Sequence, residues 1–195
     1  MKQIINIIIK IIFTLKGISY GKNCEFLSYP YIENLKKQNL KIGDNVKIGK
    51  NVEFLFRENG KIFINNYTKI DSSVRMLSAN NASLIVGENS KIGKNTIINA
   101  GENVTIGKNC LISGNNYIQT SSHKYNKNKL INQQGYSHGE IIINDDCWIG
   151  ANSIILHSVT LSQGTVVGAL SLVNENTKPY SINFGIPSKF YKFRE

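Results

Sequence analysis

Acidic residues are scarce in this sequence. Thirteen Asp and Glu stand against 23 Lys and Arg, a formal net charge of +10. Such a balance attracts anions, whether nucleic acid, a membrane surface or a phosphorylated small molecule. Nucleic acid is not an expected partner, because no zinc-finger, RRM or helix-turn-helix pattern and no base-stacking aromatic stretch accompanies the charge. Cysteine is scarce too. Cys24, Cys110 and Cys147 are odd in number and share no metal-ligand spacing, so neither a disulfide framework nor a metal site is expected. They read as small buried apolar residues of a reducing compartment, the cytoplasm.

Long apolar runs are missing except at the start, "MKQIINIIIKIIFTL", where Asn6 and Lys10 interrupt the run and Leu15 ends it. At ~1.5 Å per helical residue this is roughly 20 Å, short of the ~30 Å needed to span a bilayer. No small-residue cleavage site follows Gly17, so a secretory signal is not expected. Residues 1–39 are read as an apolar helix or lead-in packed on the body or on another subunit. The alternative is a monotopic anchor, with Lys2, Lys10 and Lys16 near anionic headgroups, which would hold the protein at the inner face of the membrane.

What is present is a beat. An apolar residue returns every six positions: Ile42, Ile48, Phe54; Ile64, Ile70, Met76; Val86, Ile92, Ile98; Ile106, Ile112, Ile118. It then runs from Ile143 through Ile149, Ile155, Leu161 and Val167 to Val173 without a slip. Period six fits neither a helix nor a hairpin. It fits short strands separated by tight corners, three to a coil, with the aliphatic residues stacked inside and the coils paired about 4.8 Å apart. Gly43, Gly49, Gly93, Gly107 and Gly150 are expected to supply the unusual backbone angles of the corners. Coils then start at Ile42, Ile64, Val86, Ile106, Ile143 and Leu161, and every extra residue falls after a third hexad, on one edge of the prism. The expected domain is a β-solenoid over 40–178, with a long inserted loop at 119–142 and a basic tail at 179–195. The loop, "TSSHKYNKNKLINQQGYSHGEI", carries two of the three histidines, and functional residues concentrate on such loops.

The block "IIINDDCWIGANSIILHSVTLSQGTVVGALSLVNENTKPYSINFGIPSKFYKF" resembles the hexapeptide-repeat acyltransferases, in its Trp-Ile-Gly-Ala, its hexads and its closing G-I-P-S-K. With the earlier hexads the resemblance covers roughly residues 40–192. It implies a left-handed parallel β-helix, an exception to the right-handed rule for parallel crossovers. The histidine loop before Trp-Ile-Gly-Ala is similar to the galactoside and maltose O-acetyltransferase branch, and in look to enzymes acting on bacterial surface polysaccharide, capsule or sialic acid. The resemblance implies a homotrimer with acetyl-CoA as co-substrate, no metal, and a site formed between subunits.

On that resemblance His123 is the general base that deprotonates a carbohydrate hydroxyl as it attacks the thioester. Trp148, which alternation turns away from the core, borders the acetyl-CoA and acceptor site. Ala151 and Ala169 give the pantetheine arm room to pass, and Lys189 and Lys192 stand where the nucleotide phosphates are met. Asn174 and Glu175 depart from the family's usual Thr-Lys. Asn95, Asn115 and Asn116 are candidates for an acceptor contact, while His138 and His157 read as structural or exposed. A zinc hydrase of the same fold is not expected from the histidine spacing. Two rival readings remain. One is an acetyltransferase of an antibiotic hydroxyl or an amino sugar, the latter disfavoured because residues 1–40 are too few for an added nucleotide-binding domain. The other is a non-catalytic β-helix that binds or assembles.

Overall fold

Aliphatic residues six apart become the inside of a triangular prism. The computed structural model describes residues 2–195, a helix α1 (Lys2–Leu15) followed by seven coils of three short parallel strands each. Equivalent strands of successive coils stack into three sheets, the faces of the prism, with seven, nine and seven strands. Ile42, Ile64, Val86, Ile106, Ile143 and Leu161 pair in one continuous ladder along the first face. None of them is more than 4% exposed. Each such burial removes an aliphatic side chain from water for about 1.5–3 kcal/mol. This stacked column, rather than any single contact, holds the solenoid.

The corners work differently from the sequence reading. Gly43, Gly49, Gly93, Gly107 and Gly150 do not adopt left-handed angles; that conformation falls two residues later, on Asn45, Asn51, Asn95, Asn109 and Asn152. Asparagine tolerates it because its short polar side chain bonds locally. The glycines are required for space. A Cβ on Gly49 would lie 2.5 Å from the backbone nitrogen of Ser72, and one on Gly150 2.4 Å from that of Ala169. Neighbouring coils touch backbone to backbone at these corners.

The solenoid also starts earlier than residue 40. Ser19–Tyr20, Glu25–Phe26 and Tyr31–Glu33 form a complete first coil, paired in register with the second. Its interior is aromatic because helix α1, not another coil, covers it. Phe13 is fully buried there, its ring centroid 4.9 Å from that of Phe26. Asn6 faces the body, accepting from the Phe26 backbone N–H at 2.8 Å and donating to the Cys24 carbonyl at 3.3 Å. At the other end, 179–195 is no loose tail: Ser181–Gly185 adds to the second face and Ser188–Phe193 returns antiparallel along it.

Every excursion leaves from the corner between the third and first faces. The longest follows the strand Tyr117–Gln119 and is a hairpin of Ser121–His123 and Tyr136–His138. Its tip is closed by Gln134, which accepts from the Asn126 N–H and donates to the Asn126 and Lys129 carbonyls.

Candidate active site

The hairpin is rooted by a buried hydroxyl. Thr120 Oγ1 accepts from the backbone N–H groups of Gly101 (2.8 Å) and Glu102 (3.1 Å) and donates to the Asn99 carbonyl (3.1 Å). Pairing Ser121 with His138, Ser122 with Ser137 and His123 with Tyr136 sorts the side chains by alternation. Ser122 and Ser137 face His157, whose Nε2 is 3.2 Å from Ser122 Oγ. His157 thus braces the hairpin through Ser122.

The other side carries His123, Tyr136 and His138. The His123 ring lies over Tyr136 with centroids 4.4 Å apart, and Tyr136 lies 6.1 Å from His138. Tyr136 and His138 line an open cleft of about 530 Å³ against the outer side of the third face. Asn99, Tyr117 and Gln119 form its floor as a hydrogen-bonded set, with Asn99 Nδ2 2.9 Å from Gln119 Oε1 and 3.2 Å from Tyr117 Oη. Arg57 and Arg75 stand on its far wall. Arg57 is paired with Glu33, whereas Arg75 Nε, 3.6 Å from Glu53, has no hydrogen-bond partner. Gly101 makes room for His138, since a Cβ there would meet its Nδ1 at 3.2 Å. The cleft therefore offers imidazole, phenol, carboxamide and guanidinium groups to one ligand.

Two residues of the cleft are not singled out by the sequence. His138 is exposed, as expected, and also lines the cleft; the signal is the alternation Tyr136-Ser137-His138 opposite Ser121-Ser122-His123. Asn80 and Asn99, and not Asn116, are the asparagines of the cleft. Asn116 is buried at 1% exposure, donating to the Ser113 carbonyl and accepting from the Ser153 N–H, each at 2.7 Å, so no acceptor can reach it. Asn95 and Asn115 hydrogen-bond to each other at 3.1 Å along a corner.

Trp148 lies elsewhere. It is 51% exposed on the second face, with Nε1 3.2 Å from Ser113 Oγ. Leu111, Trp148, Val166, Ile182 and Lys192 follow one another across adjoining strands of that face. Ala151 and Ala169 occupy the corner beside it, where Leu170 N–H donates to the Ala151 carbonyl at 2.9 Å. Lys189 pairs with Glu175 at 3.1 Å, and Lys192 with Glu195 at 2.9 Å. The corner bearing the hairpin is opposite the second face. A single chain thus groups Trp148 with Ala151, Ala169 and Lys192, and keeps His123 and His138 apart from them.

The cysteines are interior thiols. Burial pushes Cys24 above its ordinary pKa. Cys147 is pushed up further by its hydrogen bond with Cys110 and by burial.

A coiled prism of hexads with one histidine-bearing hairpin defines a class, and comparison with known proteins names it. The family model for the hexapeptide repeat of succinyl-transferase matches residues 83–119 and 140–169. A dTDP-4-amino-4,6-dideoxy-D-glucose acyltransferase of Escherichia coli is 32% identical over 165 residues, 80% of this chain and 83% of that enzyme. The chain belongs to the hexapeptide-repeat acyltransferases, which take their acyl group from a coenzyme A thioester. Among solved structures, AntD, an N-acyltransferase from Bacillus cereus in complex with dTDP and 3-hydroxybutyryl-CoA, superimposes with a TM-score of 0.69 at 23% identity, covering 95% of this chain and 88% of that one. The polySia-specific acetyltransferase NeuO does so with 0.54 at 22% identity, covering 91% and 81%.

Proposed function

We propose that this enzyme transfers an acyl group from acyl-CoA to the amino group of a nucleotide-linked amino sugar. The observation that carries the reading is the identity to the E. coli aminodideoxyglucose enzyme across four-fifths of the chain. Because that relative is matched over 83% of its own length, the size argument against an amino-sugar acceptor loses its force. The carbohydrate hydroxyl expected from the sequence becomes the competing acceptor.

The chemistry suits the cleft. The acceptor's neutral nitrogen attacks the thioester carbonyl carbon, a C–N bond forms, and the C–S bond breaks to release CoA as its thiol. One proton must leave the nitrogen on the way. His123 is the proposed base, and His138 with Asn99 and Gln119 holds the sugar; a positioned base is typically worth about 10²–10⁴ in rate. No covalent acyl-enzyme is needed. Trp148, Ala151, Ala169, Lys189 and Lys192 are proposed to take acyl-CoA along the second face and its corner. These two groups meet if the hairpin of one subunit reaches the second face of the next, as in a homotrimer. Tyr125, Leu130 and Ile131 at the hairpin tip, 79%, 66% and 55% exposed, are apolar surface that such a contact would cover.

The test is thiol release from acetyl-CoA and longer acyl-CoAs, with dTDP-4-amino-4,6-dideoxyglucose, free amino sugars, sialic acid polymer and capsular polysaccharide as acceptors. Turnover confined to the nucleotide-linked amino sugar supports the reading. Turnover only on a polysaccharide hydroxyl overturns it in favour of O-acetylation. Neither turnover nor acyl-CoA binding would leave a non-catalytic solenoid.

A further inference from the structure

Helix α1 has two apolar stripes, and the body uses only one. Ile9 and Phe13 are buried against the first coil, with Asn6 beside them on the same side. Ile4, Ile8, Ile11 and Leu15, spaced four, three and four residues apart, form a second stripe on the opposite side. They are 62%, 50%, 54% and 81% exposed, and Ile7 beside them is 58% exposed. A shallow groove of about 300 Å³, lined by Ile7, Ile11, Leu15 and Tyr20, runs along the edge of the stripe. Five large aliphatic side chains on one 14-residue helix is far more than scattered surface apolarity, and a contiguous patch of this kind marks an interaction surface.

Charge says what covers it. Lys10 borders the groove beside Ile7 and Ile11, and Lys16 follows the helix end with its ammonium 5.5 Å over the Tyr29 ring, both within reach of anionic groups at an apolar boundary. The first 50 residues, which make α1 and the first coils, hold nine lysines against three carboxylates, the larger share of the net charge of +10. An apolar stripe set in a cationic end matches the chemistry of an anionic bilayer: acyl chains below, phosphate headgroups around. No helix among the described residues is long and apolar enough to cross a membrane. We infer that α1 lies in the plane of an anionic phospholipid surface and docks the capped end of the solenoid onto it. This inference is independent of which acceptor the enzyme acylates.

The experiment is flotation of the full chain with vesicles of phosphatidylglycerol and phosphatidylethanolamine, and with vesicles of phosphatidylcholine alone. Binding to the anionic vesicles is expected to exceed that to neutral ones by about tenfold or more and to weaken with salt. Ile8→Asp with Ile11→Asp is expected to abolish it, and Lys10→Glu with Lys16→Glu to remove the anionic preference. Thermal unfolding controls for the fold, and Ile4→Ser with Leu15→Ser is the milder variant if the first pair unfolds. Failure of the wild type to float with anionic vesicles overturns the inference, as does equal flotation of a folded Ile8→Asp/Ile11→Asp chain. A lipid-independent rise in sedimenting mass that the same substitutions remove, without flotation, would assign the stripe to a second copy of the chain and overturn it equally.

Discussion

His123 stacks on Tyr136 across one rung of the hairpin, centroids 4.4 Å apart, and so stands on the same side as His138 without touching it. The arrangement gives one strand pair two imidazoles in different positions, His138 in the wall of the cleft and His123 behind Tyr136, outside its lining. Separate substitutions should therefore have separate signatures. His123→Ala is expected to lower kcat by about 10²–10⁴-fold with little change in acceptor KM, the loss of a positioned base. His138→Ala is expected to act mainly through acceptor KM. A reversal of the two signatures would exchange the roles.

Trp148 should matter to the donor and not to the fold. Half exposed, with only Ser113 as a hydrogen-bond partner, its removal leaves the prism interior untouched. Trp148→Ala is expected to change stability by less than about 1 kcal/mol while raising the KM for acyl-CoA about tenfold. Urea unfolding and steady-state kinetics on the same preparation check both halves.

Gly150 and Asn152 share a corner and should respond to very different degrees. Gly150→Ala drives a methyl into the Ala169 backbone, which cannot yield without separating two coils. A loss of about 3 kcal/mol or more is expected, beyond ordinary overpacking. Asn152→Gly keeps the left-handed angle of +58° accessible and should cost under about 1 kcal/mol. Chemical denaturation of both variants tests whether space, and not backbone angle, selects glycine here.

Alkaline pH should weaken the protein through its buried thiols. Cys147 and Cys24 have folded pKa values above the ordinary 9.0. Above about pH 9 the unfolded chain releases protons that the native chain keeps, so stability falls as pH rises, by up to about 1.4 kcal/mol per pH unit for Cys147 and in the same direction for Cys24. Below that pH these two thiols contribute no slope, while Cys110, whose folded pKa is lowered by its hydrogen bond with Cys147, acts in the opposite sense. Unfolding curves between pH 7 and 10.5 should be flatter for Cys147→Ala than for the wild type, and the native thiols should react slowly with disulfide reagents at neutral pH.

Thr120→Val keeps the shape of the hairpin root but strips two backbone N–H groups of their acceptor. A cost of about 1–3 kcal/mol is expected, and hydrogen exchange at Gly101 and Glu102 should rise more than elsewhere.

The solenoid from Ile42 onward was legible because period six is a direct imprint of three-sided stacking, and the side of every insertion followed from counting. The first coil was not. Tyr20, Phe26 and Ile32 keep the same spacing, but two of the three are aromatic, since they must fill space under a helix instead of a seventh aliphatic layer. His123 was legible from its loop. His138 and Asn99 were not, because a cleft between a hairpin and a sheet joins residues whose closeness depends on strand pairing across 15 to 40 positions.

Asn6 has a consequence for assembly. A stack of parallel strands ends in unpaired N–H and C=O groups, and such an edge templates growth by any matching strand. Here the carboxamide of Asn6 occupies those groups on the second face at one end, and the antiparallel Ser188–Phe193 replaces the parallel edge of the same face at the other. The molecule is a finite length cut from a lattice that could otherwise continue, and helix α1 with its Asn6 carboxamide covers the end where the next coil would pair.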